Sequence, residues 1–205
     1  MQSFMTKIMS KFSNKVLAIF SAALALVSLL VGIFSISNEA KSGCGAFVNG
    51  IIATVLFLVL AYFLWKDDKK KSLILSILLV AGFVVSAFGN AILNFVTASD
   101  IGEIGELGSL VASFVFEGIA LIGAFAATTL VVIMLLKENV NKDKLNLIVE
   151  LIYFVSAIFF ILGGILALCN DVTEGLAKTT SFFDGLLHAG EVVFFAAAFY
   201  NLLKE

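Results

Sequence analysis

Six apolar stretches, each long enough to cross a membrane, divide this chain of 205 residues. A helix needs about 20 apolar residues to span a hydrocarbon core about 30 Å thick, because each residue adds about 1.5 Å. Short polar segments separate the stretches, and none shows the alternating pattern of a membrane β-barrel strand. The predicted spans are Val16–Ser37, Ala46–Trp65, Ser72–Val96, Leu107–Leu136, Leu145–Cys169 and Phe182–Leu203.

Composition excludes a water-soluble domain. Hydrophobic residues make up 61% of the chain and charged residues only 14%, whereas soluble domains carry about 25% charged residues. The net charge of −2 and the scattered lysines also exclude a basic face for nucleic acid. We therefore predict an all-α polytopic membrane protein in which residues 1–205 form a single transmembrane domain. Its partner is the lipid bilayer, and a second copy or another membrane protein stays open as a further partner.

Lysine placement predicts the orientation of the spans. The chain has no arginine, and all lysines except Lys41 and Lys178 fall on one side of the predicted spans. Because cytoplasmic loops carry an excess of basic residues, we expect this side and both termini to be cytoplasmic, in the cell membrane. The first apolar run resembles a signal peptide, but it is long and lacks a good cleavage site, so we expect an uncleaved span. Lysine as the sole base and the absence of proline suggest an AT-rich bacterial genome.

The spans form three hairpins in chain order, each leaving the lysine-bearing side and returning to it. The returning spans share an apolar pair followed by Asn, Glu or Asp and then Gly, in FVNGII, VFEGIA and FFDGLL. The outgoing spans each carry a late glycine, namely Gly32, Gly89, and Gly163 or Gly164. One interpretation is a threefold repeat about an axis along the membrane normal. The other is that apolar sequences align by chance and the glycines merely permit close helix packing.

Ionisable side chains within the spans are the candidate functional residues, because each costs at least about 2.5 kcal/mol to place in a bilayer. Asp184, His188 and Glu191 are spaced i, i+4, i+7 and therefore share one face of the last span. In one interpretation they line a polar track, in which Asp184 attracts a cation and the other two hold it or relay a proton. In the other, they only hydrogen-bond neighbouring helices.

Three further polar residues belong to the same hypothesis. Glu117 and Asn49 lie near the lysine-poor ends of their spans, and Glu150 lies near the lysine-bearing end of the fifth span. Glu117 could help Asp184 to attract a cation, and Glu150 could pass it inward. Alternatively, Glu117 and Asp184 are acids placed favourably in the first turns of their helices.

These residues predict a small transporter or channel for a cation or a proton-coupled solute. The alternative is a structural or accessory membrane protein that acts by packing against a partner, without transport or catalysis. The chain has no nucleotide-binding loop and no H-E-x-x-H site, and its single histidine stands in an order that reverses the E-x-x-H of di-iron bundles. We therefore expect no catalytic residue, no cofactor and no metal, and an intramembrane metalloenzyme is the least favoured hypothesis.

Cys44 and Cys169 are the only cysteines, and both fall at the lysine-poor ends of their spans. If that side is oxidising, a disulfide can join the first loop to the third. A disulfide and two free thiols are both compatible with the sequence.

Overall fold

The computed structural model describes residues 11–37, 43–100, 108–137, 141–169 and 175–203, and the regular structure in these ranges is entirely helical. Within them, six helices are long and apolar enough to cross a membrane. The prediction of an all-α, six-span fold is confirmed. The helices are α1 (Asn14–Ser37), α2 (Gly43–Trp65), α3 (Lys69–Asp100), α4 (Gly108–Leu136), α5 (Lys142–Leu168) and α6 (Gly175–Leu203).

Several helices extend beyond the apolar runs that predicted them. Helix α3 begins at Lys69 and ends at Asp100, whereas the predicted span covers residues 72–96, and α6 begins at Gly175 rather than at residue 182. The predicted limits follow hydrophobicity, but helical hydrogen bonding continues through polar residues that can reach the membrane–water interface. Below, the lysine-rich end of the bundle is where α1, α3 and α5 begin, and the opposite end is the lysine-poor end.

Large apolar side chains cover the outside of the bundle. Ile122, Val85 and Leu136 are 65%, 74% and 78% exposed, and many other Leu, Ile, Val and Phe side chains are similarly open. An apolar surface this continuous is not found on soluble monomers, where patches of a few hundred Å² are the limit. The exposed surface is therefore suited to lipid, and the polar groups have to be accommodated inside.

The six helices differ in how extensively they contact their neighbours. Helix α1 packs extensively on α2, and α5 packs extensively on both α4 and α6, whereas α3 makes fewer contacts, which it divides among α2, α4 and α6. The second hairpin, α3 with α4, is therefore the loosest of the three. Helix α6 is the most buried, because its segment Val192–Phe199 is almost completely covered by other helices.

A short, ordered turn joins α2 to α3 at the lysine-rich end. The backbone N–H groups of Asp67 and Asp68 donate to the carbonyl oxygens of Leu64 and Phe63, and Asp67 has a left-handed backbone with φ 58°. Asp68 then caps α3 by accepting a hydrogen bond of 3.1 Å from the backbone N–H of Lys71. This bond, together with the Lys71 ammonium group, holds the pKa of Asp68 below its ordinary value.

Paired glycines bring two hairpins into close backbone contact. A Cβ added to Gly50 of α2 would lie 2.8 Å from the carbonyl oxygen of Ser28 and 3.1 Å from the Cα of Gly32 on α1. A Cβ added to Gly185 of α6 would lie 2.9 Å from a backbone oxygen of α5 and 3.1 Å from the Cα of Gly164. The first and third hairpins therefore cross at matching glycines, in the small-residue manner of membrane helices.

At Gly118, the described part of the second hairpin does not show this contact. Among the described residues, nothing lies within 4 Å of a Cβ added to Gly118, the glycine that corresponds to Gly50 and Gly185 in the sequence pattern. Instead, the neighbouring Glu117 packs its Cγ against Gly163 of α5, so that α4 is paired with α5 rather than with α3. The surroundings of Gly89 lie outside the described residues.

Alanine substitution should have different effects on stability at the two glycine crossings and at Gly118. Gly50→Ala and Gly185→Ala each place a methyl group against backbone that cannot move aside, and we expect each to lower the free energy of unfolding by about 1–3 kcal/mol. Gly118→Ala is the matched control, because the space around it is open and alanine favours the helix. Thermal unfolding of the purified protein in detergent measures the difference. Equal melting temperatures for the three variants would contradict the two glycine crossings.

Candidate functional site

Helix α6 carries three ionisable side chains that contact one another, as the i, i+4, i+7 spacing predicts. His188 Nδ1 lies 3.0 Å from Glu191 Oε2, and His188 Nε2 lies 3.5 Å from Asp184 Oδ2. The imidazole therefore bridges two carboxylates, one at each ring nitrogen. We call these three residues the α6 triad.

The bridging geometry fits a triad in which all three side chains are charged. A neutral imidazole has only one N–H and can donate to only one carboxylate, whereas an imidazolium can donate to both. With Asp184 and Glu191 ionised and His188 donating from both nitrogens, the triad has one net negative charge. It can therefore be neutralised by one additional proton or by one monovalent cation.

The α6 triad lies against a cavity of about 400 Å³ between α1, α2, α3 and α6. The exposed fraction of the side chains falls from 44% at Asp184 to 20% at His188 and 7% at Glu191. Because α6 runs from the lysine-poor end towards the lysine-rich end, this gradient indicates an opening on the lysine-poor side and places Glu191 deepest of the three.

Polar side chains from all four helices line the cavity. Asn49 of α2 donates a hydrogen bond of 3.2 Å to Ser86 of α3, which connects these two loosely packed helices. On α1, Ser35 donates to its own helix, at Val31, whereas the hydroxyl of the buried Ser28 has no hydrogen-bond partner among the described residues. The wall therefore contains a buried hydroxyl, that of Ser28, without a partner among the described residues.

Aromatic rings flank and close the cavity. The rings of Phe83 and Phe160 lie 5.0 and 5.4 Å from the imidazole of His188, between centroids. Towards the lysine-rich end, Phe57 of α2 contacts the rings of Phe194 and Phe195 of α6, and each of these three side chains is at most 1% exposed. This aromatic floor separates Glu191 from the lysine-rich end.

Glu117 lies beside the cavity but not on its wall. Its Oε1 is 3.4 Å from the hydroxyl of Ser113, which in turn donates to the carbonyl oxygen of Gly163 at 2.8 Å. The carboxylate interacts electrostatically with Asp184 and His188, although the lining residues come only from α1, α2, α3 and α6. Glu117 can therefore influence the charge of the α6 triad from the α4–α5 interface.

Glu150 lies away from the cavity and from the α6 triad. It is 3% exposed on the lysine-rich half of α5, one turn from Tyr153, and it does not line the cavity. Tyr153 shares a hydrogen bond with Thr128 at 3.0 Å and stacks on Phe199 of α6. Of the six predicted residues, the structure thus places Asn49 and the α6 triad on one cavity, Glu117 beside it and Glu150 apart from it.

A disulfide between Cys44 and Cys169, which the sequence leaves open, stays a hypothesis. Cys169 follows the last residue of α5 and has an exposed free thiol, whereas the side chain of Cys44 lies outside the described residues.

Ser28 and Ser86 are among the polar cavity residues that were not identified from the sequence. A signal for Ser28 was present, because Ser21, Ser28 and Ser35 recur every seven residues and therefore share one face of α1. Ser86 gave no comparable signal, since its role depends on the distance between α2 and α3.

We compared the chain with known protein families, curated proteins and solved structures. No protein-family model, no curated protein and no solved structure matches this chain. Within the described residues, no group of three or more His, Cys, Asp and Glu side chains has an arrangement that could hold a metal ion.

Unfolding measurements should detect the bridge between His188 and Glu191. His188→Ala leaves a carboxylate that is 5% exposed without its partner, and we expect a loss of about 1–3 kcal/mol in the free energy of unfolding. Glu191→Gln removes the charge, so the double variant should lose less than the sum of the single losses, with a coupling of about 0.5–3 kcal/mol. His188→Ala combined with Asp143→Asn, an exposed and distant acid, is the control and should be additive. Additivity in both pairs would contradict the contact.

Proposed function

We propose that this integral membrane protein is a small transporter or channel for a cation or a proton-coupled solute, and that the cavity is its binding site. The observation that supports this proposal most strongly is that the imidazole of His188 bridges two carboxylates along the wall of a cavity between four helices. Ionisable groups are retained inside membrane helices mainly where they bind or conduct ions and protons. A site with one net negative charge and an opening on one side is suited to receiving a cation.

The distribution of lysines supports an orientation for this site. The described lysines beside the spans, such as Lys15, Lys66, Lys70 and Lys142, lie at the lysine-rich end, and basic residues favour the cytoplasmic side. In this orientation both termini are cytoplasmic, and the cavity opens away from the cytoplasm. The structure then corresponds to a state that is open outwards and closed inwards by the aromatic floor.

Passage to the other side requires the aromatic floor to open. The rings of Phe57, Phe194 and Phe195 contact one another. Helix α3 is the element best suited to move, because it has the fewest contacts with its neighbours for its length. Its displacement would expose Ser72 and Ser76, whose buried hydroxyls have no hydrogen-bond partner among the described residues.

An accessory role is the alternative. It requires the polar face of α6 to be satisfied by a packed helix, without a cavity. The presence of about 400 Å³ of space beside that face favours transport. The extensive apolar exterior fits both roles, because it can face lipid or a membrane partner.

A flux assay tests the proposal. Protein reconstituted into liposomes with a trapped pH-sensitive dye is exposed to gradients of Na⁺, K⁺ and 2-phenylethylammonium in turn, and ion uptake and internal pH are recorded. We expect the wild type to transport at least one of these cations and Glu191→Gln to reduce the rate about tenfold or more, since it removes the deepest charge of the site. Asp143→Asn is the control, because this carboxylate is exposed outside the cavity. Full flux in Glu191→Gln would refute the proposal.

Labelling of intact cells tests the orientation. In a Cys44→Ser background, we expect a membrane-impermeant maleimide to react with Cys169, which is exposed at the lysine-poor end. In a background without native cysteines, Lys70→Cys should react only after the cells are permeabilised, because Lys70 is exposed at the lysine-rich end. Reaction of Lys70→Cys in intact cells would show that the orientation is the opposite of the one proposed.

A further inference from the structure

We propose that the solute is a small organic ammonium ion, a protonated primary or secondary amine with an apolar tail, held by Glu191 and the hydroxyl of Ser28, with Asp184 nearer the opening of the cavity. This inference deepens the proposed function by naming the class of solute. It depends on that function only for the claim that the bound ion crosses the membrane.

Charge selects a cation over an anion. The charged groups that line the cavity are those of the α6 triad, which has two carboxylates for one imidazole, and none of the described lining residues is a lysine. The deeper carboxylate, on Glu191, is only 7% exposed, so its field is weakly screened by water and salt. An anion at this position would face the net negative charge at short range.

Size and wall chemistry select an organic ion over an inorganic one. A cavity of about 400 Å³ is comparable to the ~300–1,000 Å³ pockets that hold small organic ligands. Hard cations prefer about six to eight oxygen ligands, whereas apolar groups of Val31, Leu56, Leu79 and Leu187 form much of this wall. An apolar tail would fill that space, while a bare ion would leave it to water.

Ser28 supplies an observation that is independent of the acids. This residue is 2% exposed and lines the cavity, and its hydroxyl has no partner among the described residues. Buried hydroxyls are normally hydrogen-bonded, and an unpaired one destabilises the folded state. An ammonium group can donate one N–H to this oxygen and another to the carboxylate of Glu191, which requires a solute with more than one N–H.

Binding to the purified full-length protein tests the solute class. The probes are 2-phenylethylammonium, the neutral analogue 2-phenylethanol, tetraethylammonium, which has charge without N–H groups, and NaCl or KCl alone. Equilibrium dialysis in detergent gives the affinity, and thermal unfolding gives the stabilisation by the ligand. We expect 2-phenylethylammonium to bind at least about tenfold more tightly than either organic analogue, because only it provides both charge and donors.

Variants locate the bound ammonium group. Glu191→Gln should weaken binding of 2-phenylethylammonium about tenfold to hundredfold, and Ser28→Ala about threefold to tenfold. Ser28→Ala should not lower the melting temperature of the free protein, since the hydroxyl has no partner to lose. Ser21→Ala is the matched control on the same helix. Its hydroxyl donates to the carbonyl oxygen of Phe57 at 2.7 Å, so this variant should lower the melting temperature and leave the affinity unchanged.

The outcomes distinguish this inference from the proposed function. Equal binding of 2-phenylethanol, or binding that survives Glu191→Gln, would overturn the ammonium site. Glu191-dependent flux of Na⁺ or K⁺ without amine binding would also overturn the solute class while supporting transport. Amine binding without amine uptake into liposomes would support the site and refute transport.

Discussion

Lipid offers no hydrogen bonds, so each polar group of these six helices has to be satisfied within the bundle or by water that enters it. This constraint explains why the helices expose Leu, Ile, Val and Phe outwards and keep serines, acids and the histidine inside. It acts most strongly on Glu191, which lies deepest in the cavity. The imidazole of His188 satisfies this carboxylate from one side, and Asp184 satisfies the other nitrogen of the same ring. The α6 triad is stable in the bundle because its members neutralise one another in part and because a cavity admits water to the rest.

The glycine crossings explain where the cavity lies. Gly50 meets Gly32 in the first hairpin and Gly185 meets Gly164 in the third, so the polar residue before each crossing, Asn49 or Asp184, is placed at a similar depth. Both of these side chains line the cavity. In the described part of the second hairpin, Gly118 makes no such crossing, and α3 packs loosely against α4 and α6. Gly82 of α3 has no atom within 4 Å of the place where a Cβ would be, and the space beside it belongs to the cavity.

Features that belong to a single helix can be predicted from the sequence. Span positions follow from the length of the apolar runs, and the contacts within the α6 triad follow from helical periodicity, since all three residues share one element. The sequence does not predict what depends on the distance between helices. The separation of Glu150 from the cavity, the position of Glu117 at the α4–α5 interface and the contact of Asn49 with Ser86 all depend on which helices are neighbours. Apolar helices in lipid can pair in several ways with similar periodicity, so neighbours are decided by local fits such as glycine crossings.

Charge balance connects the solute to the opening of the aromatic floor. When the cavity is open, water screens the net negative charge of the α6 triad. If Phe57, Phe194 and Phe195 separated and the open side closed without a cation, that charge would be enclosed in an environment of low dielectric constant, where an uncompensated charge is expensive. A bound ammonium ion removes the net charge, and its apolar tail replaces the water that would otherwise have to be expelled. An occupied site can therefore be enclosed more easily than an empty one. In the proposed transporter, the same carboxylates that select the solute would therefore also favour conformational change in the loaded protein over the empty one.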